Sequence, residues 1–401
     1  MNKSIGTFLA NSTITMKCTI IDHIDTVKPD QWNSLSLDGN PFLRHEFLSA
    51  LEQHHCVGER FGWIPQHIIA TDQDGSLLGA VPMYLKDNSY GEFVFDWGWA
   101  DAYQRNGLEY YPKLVVSIPY TPATGPRILI APHAPRAAIA DALIDKALQH
   151  AESLQVSSLH WLFTNAEDFR SLKQKQLLSR TGCQFHWHNQ NYRDFDEFLN
   201  QLSSRKRKQI KRERRQVEDA DISLKIHHGN DVNEHELHRF HQHYQSTFAR
   251  LGGYATLSKD FFQSICSSMP TNVMFVFAYY NKQHVASAFC VRGEHTLYGR
   301  HWGCDADFNG LHFEACYYQG IEYCINQGLS HFEPGAQGEH KVSRGFIPTA
   351  TYSQHWIHND QFRPIISEFL NREHQGMLHY IESLREHSPY KEQMATSSLA
   401  D

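Results

Sequence analysis

No two cysteines of the 401-residue chain stand close enough to form a C-x-x-C pair. The eight (Cys18, Cys56, Cys183, Cys266, Cys290, Cys304, Cys316 and Cys324) are scattered, and Cys290 sits inside the apolar run "ASAFCV". That scatter fits buried free thiols in a reducing cytosol better than a disulfide framework or a zinc ribbon. No stretch approaches eighteen uninterrupted apolar residues, so no membrane-spanning helix is expected. The apolar run of the first sixteen residues is too short for a secretory signal. Positive charge is not in excess either. The net charge is −7 with histidine neutral, so any basic surface is local. Twenty-seven histidines are many, yet metal-ligand spacing is missing. His235, His238 and His241 recur every three residues and follow His227–His228, which gives neither an i, i+4 pair nor a Cys/His set. No metal site is expected, and the histidines read as structural or surface groups. We expect a soluble cytoplasmic protein.

What is present is ordinary globular material, 41% hydrophobic and 20% charged, long enough for two or three domains. Residues 1–16 and 391–401 read as loose tails. "NPFLRHEFLSALEQH" reads as a helix capped by Asn40, with Pro41 in its first turn. "PQHIIATDQDGSLLGAVPMYLKD" follows as two strands around a turn, and "GEFVFDWGW" as a strand with aromatic alternation. "PRAAIADALIDKALQHAESL" is an amphipathic helix, and strand, helix and strand close the half at "CQFHWHN". The second half repeats that order. It begins with a basic helix and "ISLKIHH", passes through a hairpin with "NK" at its turn, and ends with "TATYSQHWI" and a long helix. This twofold order reads as α+β, with two tandem domains spanning 17–192 and 193–390 and mixed sheets flanked by helices. One large mixed domain is the alternative.

Four stretches carry chemistry. In "SSRKRKQIKRERRQV", eight Lys or Arg residues stand against one Glu between Arg205 and Arg215. A helix there leaves Ile210 and Val217 as its apolar anchor. Arg205, Lys208 and Arg212 share one face suited to a polyanion, or the run is a solvated surface. In "HTLYGRHWG", strict alternation puts Tyr298, Arg300 and Trp302 on one face, as a ligand wall. His312 and Glu314 follow at a helix start whose amides suit an anion; Glu314 reads equally as a complement to the helix dipole. "SHFEPGAQGEHKVSRGF" ends a strand at Glu333, then crowds Gln337, Glu339, His340, Lys341 and Arg344 into a glycine-punctuated loop. "SIPYTPATGPR" sets Tyr120 and Arg127 in a proline-rich turn.

These residues together resemble the FemAB-like group (peptidoglycan biosynthesis/recognition, predicted N-acyltransferases) within the GNAT acyltransferase superfamily. The resemblance rests on "SRKRKQIKRERRQV", on "LYGRHWG" before "LHFEACYYQGIEYCINQG", and on the closing "GAQGEHKVSRGF". It implies two packed GNAT-like domains with the donor site in the second. It further implies transfer of an acyl or aminoacyl group from acyl-CoA or aminoacyl-tRNA to an amine, such as a peptidoglycan precursor. No tightly bound cofactor is implied, and tRNA is a candidate partner. Lys341, Arg344 and Phe346 occupy the place of the Lys and Gly-Phe-rich segment near the Fem site. The GNAT pyrophosphate signature Q/R-x-x-G-x-G/A is absent from "CDADFNGLHFEAC". An activated ester or thioester needs proximity, a proton acceptor and oxyanion donors. Glu333, Glu339 and His340 are the candidate bases, and Arg300, Lys341 and Arg344 the candidate anion partners. The reading from another class is a non-catalytic protein that binds peptidoglycan precursors or RNA. Because the closing loop reads as exposed, exchanging Lys341 or Arg344 is expected to leave stability nearly untouched.

Overall fold

The computed structural model describes residues 16–306, 308–336 and 338–391. Strands in the first half are β1 Lys17–Ile21, β2 Ile64–Pro65, β3 His67–Thr71, β4 Leu77–Val81, β5 Met83–Lys86, β6 Lys113–Val116, β7 Leu129–Ile130, β8 Ser158–Trp161 and β9 Leu178–His188. Those in the second are β10 Ile222–His228, β11 Val273–Tyr280, β12 Gln283–Arg292, β13 Thr296–Cys304, β14 His331–Glu333 and β15 Ile347–Ile357. A small sheet has the order β1-β3-β4-β7. A large one runs β10-β11-β12-β13-β14-β9-β15-β8-β6-β5-β2 across both halves.

The centre of that order is an exchange. The closing strand of the first half, β9, pairs with β14 of the second, at His331↔His188 and Phe332↔Trp187. The closing strand of the second half, β15, pairs with β8 of the first, from Gln354↔Trp161 to Ile357↔Ser158. The two exchanged strands also pair with each other, from Ile347↔His186 to His355↔Leu178. Packing holds each in place. Phe185 and Trp187 of β9 are buried in the second half's core beside Phe198, Phe332 and Phe346. Such burial contributes roughly 1.5–3 kcal/mol for each large apolar side chain.

Several elements follow the sequence pattern closely. Asn40 accepts from the Phe42 amide and opens a short turn, Pro41–Leu43, before the helix His45–Gln53. The basic helix is Ser204–Asp219, and it buries Ile210 and Val217. Asn281 and Lys282 take the left-handed backbone of the β11–β12 turn. The segment "GEFVFDWGW" is a correction. Its C-terminal end opens the helix Trp97–Arg105, and residues 91–96 form a loop. Its alternation is inverted. Glu92 and Asp96 are buried, while Phe93, Phe95 and Trp97 are 38%, 46% and 51% exposed. The cause is Lys113 on β6, wholly buried, whose Nζ draws in Glu92 at 2.8 Å together with Asp96.

Candidate functional site

The site begins where two parallel strands part. β13 and β14 pair over Thr296↔His331, Leu297↔Phe332 and Tyr298↔Glu333. Beyond that β13 continues to Cys304, whereas β14 ends and the chain leaves at Pro334–Gly335. A cavity of about 300 Å³ fills the wedge, lined among others by Arg300, Trp302, His312, Tyr317, His340 and Lys341. Two glycines permit the split. Gly335 has φ 98°, which side chains rarely adopt, and a Cβ on Gly299 would approach Pro334 Cα to 3.2 Å.

A β-bulge corrects the expected one-faced wall. The β12–β13 register passes from Phe289↔His301 to Cys290↔Gly299, leaving Arg300 unpaired. Alternation is therefore reset at Arg300. Tyr298 packs edge-on against Phe42 at 5.1 Å, and Arg300 lies over the same ring at 5.9 Å. Trp302 turns to the other side, against His312 at 5.5 Å. Arg300 donates to the Tyr120 carbonyl, which the unusual Tyr120 backbone (φ 58°) presents. Burial lowers the Arg300 guanidinium to about 10.

Glu333 is the decisive group. It lies at the end of β14, beside a gap of about 10 Å³ that it shares with Gln184, Gly299, Arg300 and Gly335. Its Oε2 is buried without a hydrogen-bond partner among the described residues. Burial pushes its carboxyl up to about 8, against the opposing pull of the Thr124 amide, Arg127 and Arg300. Lys341 is also buried, 3% exposed, and its Nζ donates to the Gly335 carbonyl at 2.7 Å. It makes no ion pair among the described residues, and burial lowers its ammonium to about 8. His340, whose Nε2 lies 2.9 Å from the Tyr317 hydroxyl, and His312 also line the cavity. Burial holds His312 down at about 4.

Other expected residues are placed elsewhere. Arg344 is 4% exposed and bound to Glu213 of the basic helix, Nη2 to Oε1 at 2.8 Å. It also stacks on Phe313 at 3.4 Å and donates to the His340 carbonyl. Its anion belongs to this chain. Both Lys341 and Arg344 are thus buried, so the closing loop is not the exposed segment that the sequence suggested. Glu314 pairs with Arg214 at 3.1 Å and accepts from Gln319. Glu339 accepts from the Tyr380 hydroxyl at 2.7 Å and is exposed away from the wedge. Arg127 is wholly buried and donates to the carbonyls of Leu162, Pro126 and Ala123. The Leu311 amide is spent on the Phe308 carbonyl. Arg205, Lys208 and Arg212 are exposed and make no ion pair among the described residues. Gln337 lies outside the described residues.

Sequence reasoning missed Gln184 and Tyr317. Gln184 reaches the site only because β9 crosses to the other half. Tyr317 lies in a π-helical turn, Glu314–Tyr318, which leads into the helix Gln319–Gln327. A Ser–His–Asp set also exists away from the wedge. Ser287 Oγ is 2.9 Å from His243 Nδ1, and His243 Nε2 is 3.2 Å from Asp305. Ser287 is fully buried and also contacts His284, so it is a closed polar network without substrate access.

A family model described as peptidoglycan biosynthesis/recognition, FemAB-like, matches residues 23–392. The chain belongs to the FemAB-like family. Among solved structures, that of FemX covers 88% of this chain and 100% of its own, with TM-score 0.52 and 10% identity. A tandem GNAT protein from the clavulanic acid biosynthesis pathway covers 86% of this chain and 99% of its own, at TM-score 0.46 and 9% identity. The L-PGS structure from Bacillus licheniformis covers 77% and 88%, at TM-score 0.46 and 10% identity. No curated protein matches the chain in sequence. The fold is α+β with mixed sheets flanked by helices, as the sequence led us to expect, and it is shared with FemX. Among the described residues, no helix is long and apolar enough to cross a membrane, and no His, Cys, Asp or Glu cluster is arranged to hold a metal.

Proposed function

We propose that this FemAB-like protein is an N-acyl- or aminoacyltransferase that uses Glu333 as its general base. The observation that carries the reading is the buried, unpartnered Oε2 of Glu333 where the wedge meets the exchanged strands. The wedge takes the acyl end of an activated donor, acyl-CoA or aminoacyl-tRNA. The acceptor nitrogen attacks the acyl carbonyl carbon, forming the C–N bond as the C–S or C–O bond breaks. Glu333 takes the amine proton and returns it to the departing thiolate or alkoxide, so protons balance. A carboxyl near pH 8 is tuned for that task at mildly basic pH. Lys341 supplies a point charge for the oxyanion from a site already stripped of water. The exposed face of Arg205, Lys208 and Arg212 is free to meet a polyanionic part of the donor. Free thiols at all eight cysteines suit the cytoplasmic setting that goes with this reading.

The test is a screen of purified protein against CoA thioesters and charged tRNA with amine acceptors, read by mass spectrometry. Wild type should form the amide. Glu333→Gln should lower turnover about 10²–10⁴-fold while donor binding persists. Absence of turnover with every donor, alongside tight binding of a peptidoglycan precursor or RNA, would favour the non-catalytic binder.

A further inference from the structure

A second cavity of about 320 Å³ adjoins the wedge. Its polar floor is the exchanged strand pair, with Thr181 and Gln184 on β9 and Thr351 and Ser353 on β15. Its apolar wall includes Phe93, Phe95, Phe163 and Met377. Ala336 lines both this cavity and the wedge, and Gln184 lines both this cavity and the gap beside Glu333. Glu333 therefore sits where the two chambers approach each other.

Their charges differ. The wedge holds Arg300 and Lys341, neither ion-paired among the described residues. The second cavity holds one cation and one anion, Arg180 and Glu373, bound to each other at 2.8 and 2.7 Å. The third guanidinium nitrogen of Arg180, Nη1, donates to the Phe95 carbonyl at 2.8 Å. A phosphate would find no free cation here, whereas an apolar body finds aromatic rings. Phe93 and Phe95 stand half-exposed at this cavity, and Tyr90 and Trp97 of the same segment are 72% and 51% exposed. Surface aromatics in such a group mark a binding site. The wall is fixed in advance. Lys113 clamps Glu92 and Asp96, and Lys86 Nζ donates to Asn88 and to the Tyr90 carbonyl.

We propose that the second cavity binds the acceptor, and that the acceptor is a primary amine on an uncharged aromatic or alkyl body. This rests on the transferase reading of Glu333. The body lies against Phe93, Phe95 and Met377, and the nitrogen passes Ala336 to reach Glu333.

The test uses the full chain, no donor, and calorimetric titration with 2-phenylethylamine. O-Phosphoethanolamine is the charged-body control and 2-phenylethanol the amine-free one. The phenylethylamine should bind at least tenfold more tightly than phosphoethanolamine and several-fold more tightly than the alcohol. Phe95→Ala and Met377→Ala should each weaken it about tenfold, and Lys341→Gln should leave it within about twofold, since Lys341 lines only the wedge. The two cavity variants lie on separate elements, and thermal melts check that each is folded. Absence of binding, preference for phosphoethanolamine, equal binding of the alcohol, or sensitivity to Lys341→Gln but not Phe95→Ala would each overturn the proposal. Because this binding is read without donor and turnover is read in a separate assay, the two readings fail separately. Amine binding without turnover sinks the transferase. Turnover indifferent to Phe95 and Met377 sinks the cavity assignment.

Discussion

Glu92 and Glu333 are carboxylates taken out of water, one in each half of the molecule. Each leaves one oxygen without a hydrogen-bond partner. The surroundings then diverge. Glu92 meets Lys113 at 2.8 Å, and that ammonium also binds Asp96 and, at 2.8 Å, Ser89. Among the described residues Glu333 makes no ion pair, and Lys341 of the wedge donates only to a carbonyl. The first group is closed on itself and borders no reacting chamber; it fixes a loop. The second borders a gap whose other lining residues reach both cavities. Buried charge that is paired does positioning work, whereas buried charge left unpaired costs stability and persists where chemistry uses it.

The largest expected effect comes from removing the unpaired charge. The folded-state carboxyl of Glu333 lies near 8, above its ordinary 4.5. Below pH 4.5 both folded and unfolded chains hold the proton, and the group costs nothing. Between 4.5 and 8 the unfolded chain releases it first, so stability falls as pH rises, by about 5 kcal/mol at most. Glu333→Gln should abolish that slope and be the more stable protein at pH 8. Urea melts at pH 5 and pH 8 measure it. A variant less stable than wild type at pH 8 would place Glu333 among the closed groups.

Lys113→Met does the reverse. It strands Glu92 and Asp96, and should cost about 3–5 kcal/mol, with the 90–97 loop released to proteolysis. An unchanged denaturation midpoint would remove the contrast between the halves.

Within the closing loop the same contrast recurs three residues apart. Lys341→Gln should lower turnover by about 10²–10³-fold without loss of stability. The buried ammonium is held near pH 8 rather than 10.5, so its cost is full below pH 8 and fades above. Arg344→Lys should instead cost about 2 kcal/mol of stability, since it loses the forked contact to Glu213 and the stack on Phe313. Paired thermal melts and rates separate them. Two variants with one phenotype would mean that Lys341 and Arg344 form a single clasp.

The sequence carried the order of elements because hydrophobic period and caps are local: Asn40 before Pro41, and Ile210 and Val217 on the basic helix. It named Glu333 and Lys341 as candidates from the residue types around a Pro-Gly break. It did not carry the exchange of β9 and β15, a choice of partner between similar strands. Nor did it carry the bulge at Arg300, which depends on β12, or the inverted loop over Lys113, where one buried ammonium outweighs aromatic hydrophobicity. Arg344 looked like a ligand group because its partner, Glu213, lies 131 residues away. Charge type is written locally, but whether a charge is spent is decided across the fold.

The smallest effect concerns the basic helix, where both kinds of charge share one element. Arg214 is spent on Glu314 and Glu322, and Lys211 on Asp196. Arg205, Lys208 and Arg212, at i, i+3 and i+7, stay exposed and unspent. Changing all three to Gln should leave stability within about 0.5 kcal/mol, because exposed cations contribute little to the fold. If they grip a polyanion, the affinity for unfractionated tRNA should fall and its logarithmic salt slope should flatten by about 2–3, roughly 0.7–0.9 for each of three lost phosphate contacts. Filter binding from 50 to 200 mM salt reads that slope. The same slope in wild type and variant would assign these three charges to solvation, and the helix would then serve the site only through Glu213 and its hold on Arg344.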